Sequence, residues 1–165
     1  MRSREDGNGE WGDNEPHLSA FPPEDGWRHL SLRGSAGPVP RARDFTRQVL
    51  LEWGWLPEAD PQQREATENV LLVVSELVTN AVLHAGGADA LRLRRKATVL
   101  RVEVEDSGHG EPAPRTPHRA GRPGGHGMFI VQRLSLDWGV RRTADRPGKT
   151  VWAELPAPER PTQPE

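Results

Sequence analysis

An α+β fold, a two-layer sandwich with helices on one face of a mixed, mainly antiparallel sheet, is what the order of patterned segments predicts. Three observations carry this reading. Residues 62–85 repeat apolar side chains at helical spacing, residues 90–95 and 98–106 alternate apolar with charged side chains, and the segments run β-α-α-β-β-loop-α-β-β instead of alternating strictly.

Taken in order, WRHLSLR at 27–33 is a short strand with Trp27, Leu30 and Leu32 as its apolar positions. Gly37 and Pro38 then lead into a helix in which Val39, Ala42, Phe45, Val49 and Leu50 fall on one face, closing near Gly54. The long helix has Asp60 as N-cap, Pro61 in its first turn and Gly86–Gly87 as its stop. The two strand-like segments after it are separated by Lys96 and Ala97, a length that suits a hairpin. In the second, Leu100, Val102 and Val104 alternate with Arg101, Glu103 and Glu105, the pattern of a half-buried strand. Residues 107–127 hold six Gly and four Pro, a loop long enough to be functional or mobile. A helix over 128–136 and strands near DWGVRR and KTVWAEL complete the domain.

Composition bounds what this fold is for. Of 165 residues, 17 are Gly and 16 are Pro, well above average usage. The excess is concentrated in residues 1–26, 107–127 and 156–165, so the intervening chain is ordinary globular sequence. Residues 1–26 carry 7 acidic and 2 basic side chains and read as a disordered acidic tail. Residues 156–165, with four prolines, read as a second disordered tail, leaving 27–155 as one folded domain. No apolar run approaches the ~20 residues of a membrane span, and the N-terminus lacks the apolar stretch of a signal peptide. With no cysteine for disulfides or thiolate zinc, a cytoplasmic protein without a membrane partner is expected. The formal charge of −2 argues against direct nucleic-acid binding, and the basic run Arg92, Arg94, Arg95, Lys96 reads as a solvated strand face. His109, His118 and His126 are too widely spaced for a structural zinc site. Trp53, Trp55, Trp138 and Trp152 read as packing residues.

Three features bear on chemistry. Glu76 and Asn80, four apart on the long helix with His84 a turn beyond, share one face. They form either a polar stripe on an amphipathic helix or a general base beside an oxygen ligand for Mg²⁺. Asp106 ends a strand before Ser107, Gly108 and Gly110, which is either an ordinary turn or a carboxylate placed for a ligand amino group where glycines admit a flat ring. Gly124, Gly125 and Gly127 run into a helix and present backbone N–H groups at its positive end, a linker or a phosphate cradle. A Walker A loop is excluded because Thr143 stands where the first glycine before Gly148–Lys149–Thr150 is required. Pro112, Pro114 and Pro117 exclude a dinucleotide-binding helix after Gly108 and Gly110.

In this order the features resemble the GHKL ATPase and kinase superfamily with its Bergerat fold. SELVTNAVLHA (75–85) is similar to the N box, DSGHG (106–110) to the G1 box, GGHGMFIVQRL (124–134) to the G2 box, and GKTVWAEL (148–155) to the final Gly-Thr strand. Within that superfamily the chain resembles the short anti-sigma-factor serine/threonine kinases and their actinobacterial relatives described as ATP-binding regulators. The resemblance implies Glu76 as the catalytic base and Asn80 as the Mg²⁺ ligand. It further implies an ATP site of Asn80, His84, Asp106, Gly108, Gly110, Gly124, Gly125, His126, Gly127, Met128 and Thr150, with Asp106 on the adenine amino group and Thr150 supporting the ring. The expected cofactors are ATP and Mg²⁺. The expected partners are a sigma factor or an anti-sigma-factor antagonist, and possible homodimerisation is implied. The alternative is a non-catalytic module in which ATP orders a surface that sequesters a sigma factor or other regulator. A two-component histidine kinase is disfavoured, because the residues before Glu76 leave no room for a helical hairpin bearing a phosphoacceptor.

Overall fold

The computed structural model describes residues 26–108, 127–142 and 144–158, and among them the elements follow the expected order. They are β1 (Arg28–Ser31), α1 (Pro38–Glu52), α2 (Pro61–Ala85), β2 (Ala90–Lys96), β3 (Val99–Asp106), α3 (Gly127–Leu134), β4 (Asp137–Arg141) and β5 (Lys149–Pro156). The strands form one sheet in the order β1-β2-β3-β5-β4, and every neighbouring pair is antiparallel. Residues 1–25, Gly110, Gly124, Gly125 and His126 lie outside the described residues.

The local sequence explains each boundary of α2. The Asp60 carboxylate accepts the Gln63 N–H at 2.8 Å, and the Gln63 side chain in turn accepts the Ala59 N–H at 2.8 Å. Two donors without helical partners are thereby satisfied. Pro61 occupies the first turn, and Gly86 ends the helix in the left-handed region at φ 76°. Its Val70, Val74, Leu77, Val78 and Ala81 are buried against α1, α3 and one face of the sheet. By length and hydropathy α2 meets the criteria for a membrane span, which the sequence reading had not anticipated, although half of its most apolar stretch is buried inside this domain. Helix α1 packs on α2 through Ala42, Val49 and Leu50, and Arg43 reaches across to donate to the Ser75 hydroxyl at 2.7 Å. Helix α3 buries Met128 and Val131 in the same core.

Four sequence expectations are corrected. The hairpin turn lies at Ala97–Thr98, one residue later than expected, because Lys96 pairs with Val99. Ala97 is thereby forced to φ 51°. Strand β3 is not half-buried: Arg101 and Glu103, on the face away from the helices, are 1% and 2% exposed. Arg101 donates to Glu103 at 2.8 Å and Glu154 at 2.9 Å, Arg141 donates to Glu103 at 3.2 Å, and the Arg101 guanidinium lies 4.3 Å from the Trp152 ring centre. The basic run of β2 is a solvated face only in part: Lys96 is exposed and Arg92 half-buried, but the other two arginines are buried. Arg94 is buried beside Trp27, and Arg95 lies on the helix side near Trp55, donating to the Pro158 carbonyl at 2.9 Å. Trp53, Trp55, Trp138 and Trp152 are all buried, as their packing role requires. At the C-terminal end the fold runs past the boundary at 155, since Ala157 is buried and its N–H donates to the Thr98 carbonyl at 2.7 Å.

Two measurements check this account. Ala97→Gly should raise stability by about 1 kcal/mol, because glycine adopts the left-handed region without the Cβ penalty, and a higher urea midpoint would register it. Glu103→Ala should lower stability by about 3 kcal/mol in the same assay, because it removes the shared acceptor of a buried ion network.

Candidate functional site

The C-terminal end of α2, the C-terminal end of β3 and the beginning of β5 meet at one edge of the domain. Two glycines set how closely they meet. A Cβ on Gly108 would lie 2.5 Å from Ala85 Cα, so the loop after β3 rests on the last turn of α2 only because position 108 has no side chain. A Cβ on Gly148, whose φ is +103°, would lie 2.0 Å from the Asp106 carbonyl oxygen. β5 therefore starts against the backbone of Asp106 and Ser107. On the third side the Ser107 hydroxyl donates to the Asp89 carboxylate, while the Asp89 N–H donates to the Glu105 carbonyl at 2.7 Å.

Asp106 sits at the centre of this junction and is 3% exposed. Its Oδ1 accepts the Gly108 N–H at 3.0 Å and Lys149 Nζ at 3.2 Å. Its Oδ2 lies 3.0 Å from the same Nζ, close enough for charge attraction, yet accepts no aligned hydrogen bond among the described residues. A buried carboxylate oxygen with a vacant lone pair is an acceptor suited to a ligand N–H.

Glu76, Asn80 and His84 lie along one line of α2, with His84 immediately before the Ala85 that touches Gly108. At 1.5 Å per residue each step along that line is about 6 Å, so the stripe extends from the Asp106 junction to Glu76 about 12 Å away. Asn80 is buried, while Glu76 and His84 are half-buried at the margin of the packed face. Among the described residues no group of three or more His, Cys, Asp and Glu side chains could hold a metal ion. The Asn80 amide supplies a single oxygen, the kind of ligand Mg²⁺ takes when most of its shell comes from waters and substrate phosphates.

The structure redistributes several predicted roles. Gly127 starts α3, which packs on α2. Met128, expected at the nucleotide, is 2% exposed and belongs to the hydrophobic core. Gly108 was expected to make room for a ring, but the space beside it is filled by Ala85. The strand register puts Thr150 opposite Glu105, on the face away from the helices, and places Lys149 opposite Asp106. Lys149, Gly148 and Ala85 are thus site residues that the sequence reading passed over. The Gly-Lys-Thr tripeptide was the available signal, because alternation along β5 allows only one of Lys149 and Thr150 to face Asp106.

Residues 36–155 match the family model of the histidine kinase-like ATPase domain, well over half of the chain. No curated protein matches the sequence.

The glycine contacts generate a direct test. Gly148→Ala should destabilise the domain by about 3 kcal/mol, combining overpacking against the Asp106 carbonyl with an unfavourable backbone conformation. Thermal melting of the variant beside a control alanine substitution at exposed Gly37, whose φ is −128° and whose Cβ would meet nothing within 4 Å, would measure it; equal melting temperatures would show that β5 can withdraw freely from Asp106.

Proposed function

Because the chain belongs to the histidine kinase-like ATPase domain family, we propose that it is a cytoplasmic ATP-binding regulator acting as a serine/threonine kinase of the anti-sigma-factor type. It would phosphorylate a hydroxyl of an antagonist protein at the expense of Mg-ATP, and bind a sigma factor as its regulatory partner. The observation that carries the nucleotide part is the buried Asp106 carboxylate, whose Oδ2 has no aligned donor among the described residues and whose loop rests on the end of the helix bearing Glu76 and Asn80.

The residues divide the work by position. Asp106 accepts the exocyclic amino group of adenine and so fixes the base at the β3–β5 end of the site. Asn80, about one turn of α2 from the junction toward Glu76, would offer its amide oxygen to Mg²⁺. When bound there, Mg²⁺ would supply charge neutralisation for the transferring phosphoryl group. Glu76, one turn further, would accept the proton of the partner's serine or threonine hydroxyl as its oxygen bonds to the γ-phosphorus and the bond to the β,γ-bridging oxygen breaks, releasing ADP. The resemblance gives Gly124, Gly125 and Gly127 the role of backbone N–H donors to the phosphates; of these Gly127 begins α3, and Gly124 and Gly125 lie outside the described residues. Most of the rate enhancement would come from positioning and charge compensation, which is what phosphoryl transfer demands of a protein.

Glu76→Gln separates transfer from binding. The variant should bind ATP within about twofold of the parent, while phosphotransfer to the antagonist falls at least about a hundredfold, the usual worth of a positioned base. Titration calorimetry reads the first and radiolabelled γ-phosphate transfer the second. Undiminished transfer would remove Glu76 from the role of base. Partner control retained by a variant that binds ATP but does not transfer would instead establish the binding-only reading.

A further inference from the structure

The pairing of Asp106 with Lys149 does more than satisfy charge. Both side chains are almost wholly buried, at 1% and 2% exposure, in the part of the fold where the nucleotide base is proposed to bind. Lys149 arrives there by register, opposite Asp106 across the β3–β5 pair, and the absence of a side chain at Gly148 brings β5 close enough for Nζ to approach both carboxylate oxygens. A lysine ammonium carries three donors and no acceptor. Here Nζ donates to Oδ1 at 3.2 Å, while its 3.0 Å approach to Oδ2 is out of hydrogen-bond alignment. One acceptor, Oδ2, and donor capacity on Nζ therefore remain side by side.

Resting on the nucleotide reading above, we infer that Lys149 is a specificity-determining residue that reads the purine edge jointly with Asp106. Adenine presents a donor, its 6-amino group, next to an acceptor, ring nitrogen N1. The two protein atoms complement that pair in order: Asp106 Oδ2 accepts from the amino group and Lys149 Nζ donates to N1. A hydrogen bond from a charged donor in a buried site is worth enough to be read as a selectivity. A lysine that served only to neutralise Asp106 would be indifferent to the atom at position 1 of the base.

The test compares ATP with 1-deaza-ATP, in which N1 is replaced by C–H and the amino group is retained, by titration calorimetry on the full chain. The parent should bind ATP about tenfold more tightly than the 1-deaza analogue. Lys149→Met should abolish that preference, binding both ligands with equal and weakened affinity, and Lys149→Arg should restore part of it. A purely structural lysine predicts the opposite pattern: Lys149→Met would weaken both ligands by the same factor and leave their ratio unchanged. That ratio, or equal affinity of the parent for the two nucleotides, overturns the inference. If Lys149→Met does not fold, the parent ratio and the Lys149→Arg ratio decide alone, equal binding in both being the refuting result. Failure of the underlying nucleotide reading is distinct, because the parent would then bind neither ligand.

Discussion

A carboxylate can be buried only where its charge is met, and the site depends on how that requirement is fulfilled at Asp106. The cost of removing an ion from water is several kcal/mol, so a lone Asp106 at the end of β3 would not be tolerated at 3% exposure. Lys149 meets the charge, and the β3–β5 register that places it there also aligns the rest of the strand pair from Val99–Pro156 to Asp106–Lys149. A slip of one residue would exchange Lys149 for Thr150, leave the carboxylate uncompensated and turn Val151 and Ala153 out of the core. The site and the sheet are therefore specified by the same register.

The opposite face of the sheet reaches a similar end by a different route. Arg101, Glu103, Glu154 and Arg141 compensate one another across β3, β5 and β4, and Trp152 lies beneath the Arg101 guanidinium. Such a ladder adds little net stability over an apolar face of the same shape, but removing any one member is expensive. Its value lies in pairing specificity, since like charges would face one another in a shifted register. Lys149 and the ladder thus constrain the same strand pair from its two faces.

Much of this was legible in the sequence, and the reasons for the exceptions are specific. Asp60, Pro61 and Gly86 marked α2 because caps are local chemistry, readable without knowing the fold. The stripe of Glu76, Asn80 and His84 followed from helical periodicity alone. The burial of Arg101 and Glu103 did not, because alternating apolar and charged residues look alike whether the charges face water or one another. The turn at Ala97–Thr98 was misplaced because neither residue is a usual turn former, so pairing across β2 and β3 set its position. Choosing Thr150 over Lys149 had a similar origin: the motif supplies both residues, and only the pairing partner across the sheet decides which one faces Asp106. Met128 adjoins a glycine-rich segment but sits on the buried side of α3, a distinction between neighbouring residues that helix phase settles and motif proximity does not.

The Asp106 junction and the stripe of Asn80 and Glu76 are held at a fixed separation by one helix. Gly108 rests on Ala85 with no room for a side chain, which ties the Asp106 loop to the last turn of α2. From there the distance to Asn80 and Glu76 is set by helical rise, a quantity that changes little while the hydrogen bonds of α2 remain intact. Arg43 braces the helix from the other side at Ser75, next to Glu76. Displacement of the Asp106 end therefore carries the whole stripe with it or else breaks the Gly108–Ala85 contact. In the proposed kinase, a nucleotide bound at Asp106 would meet Asn80 and Glu76 at a spacing set by helical rise, the positional accuracy that phosphoryl transfer would require.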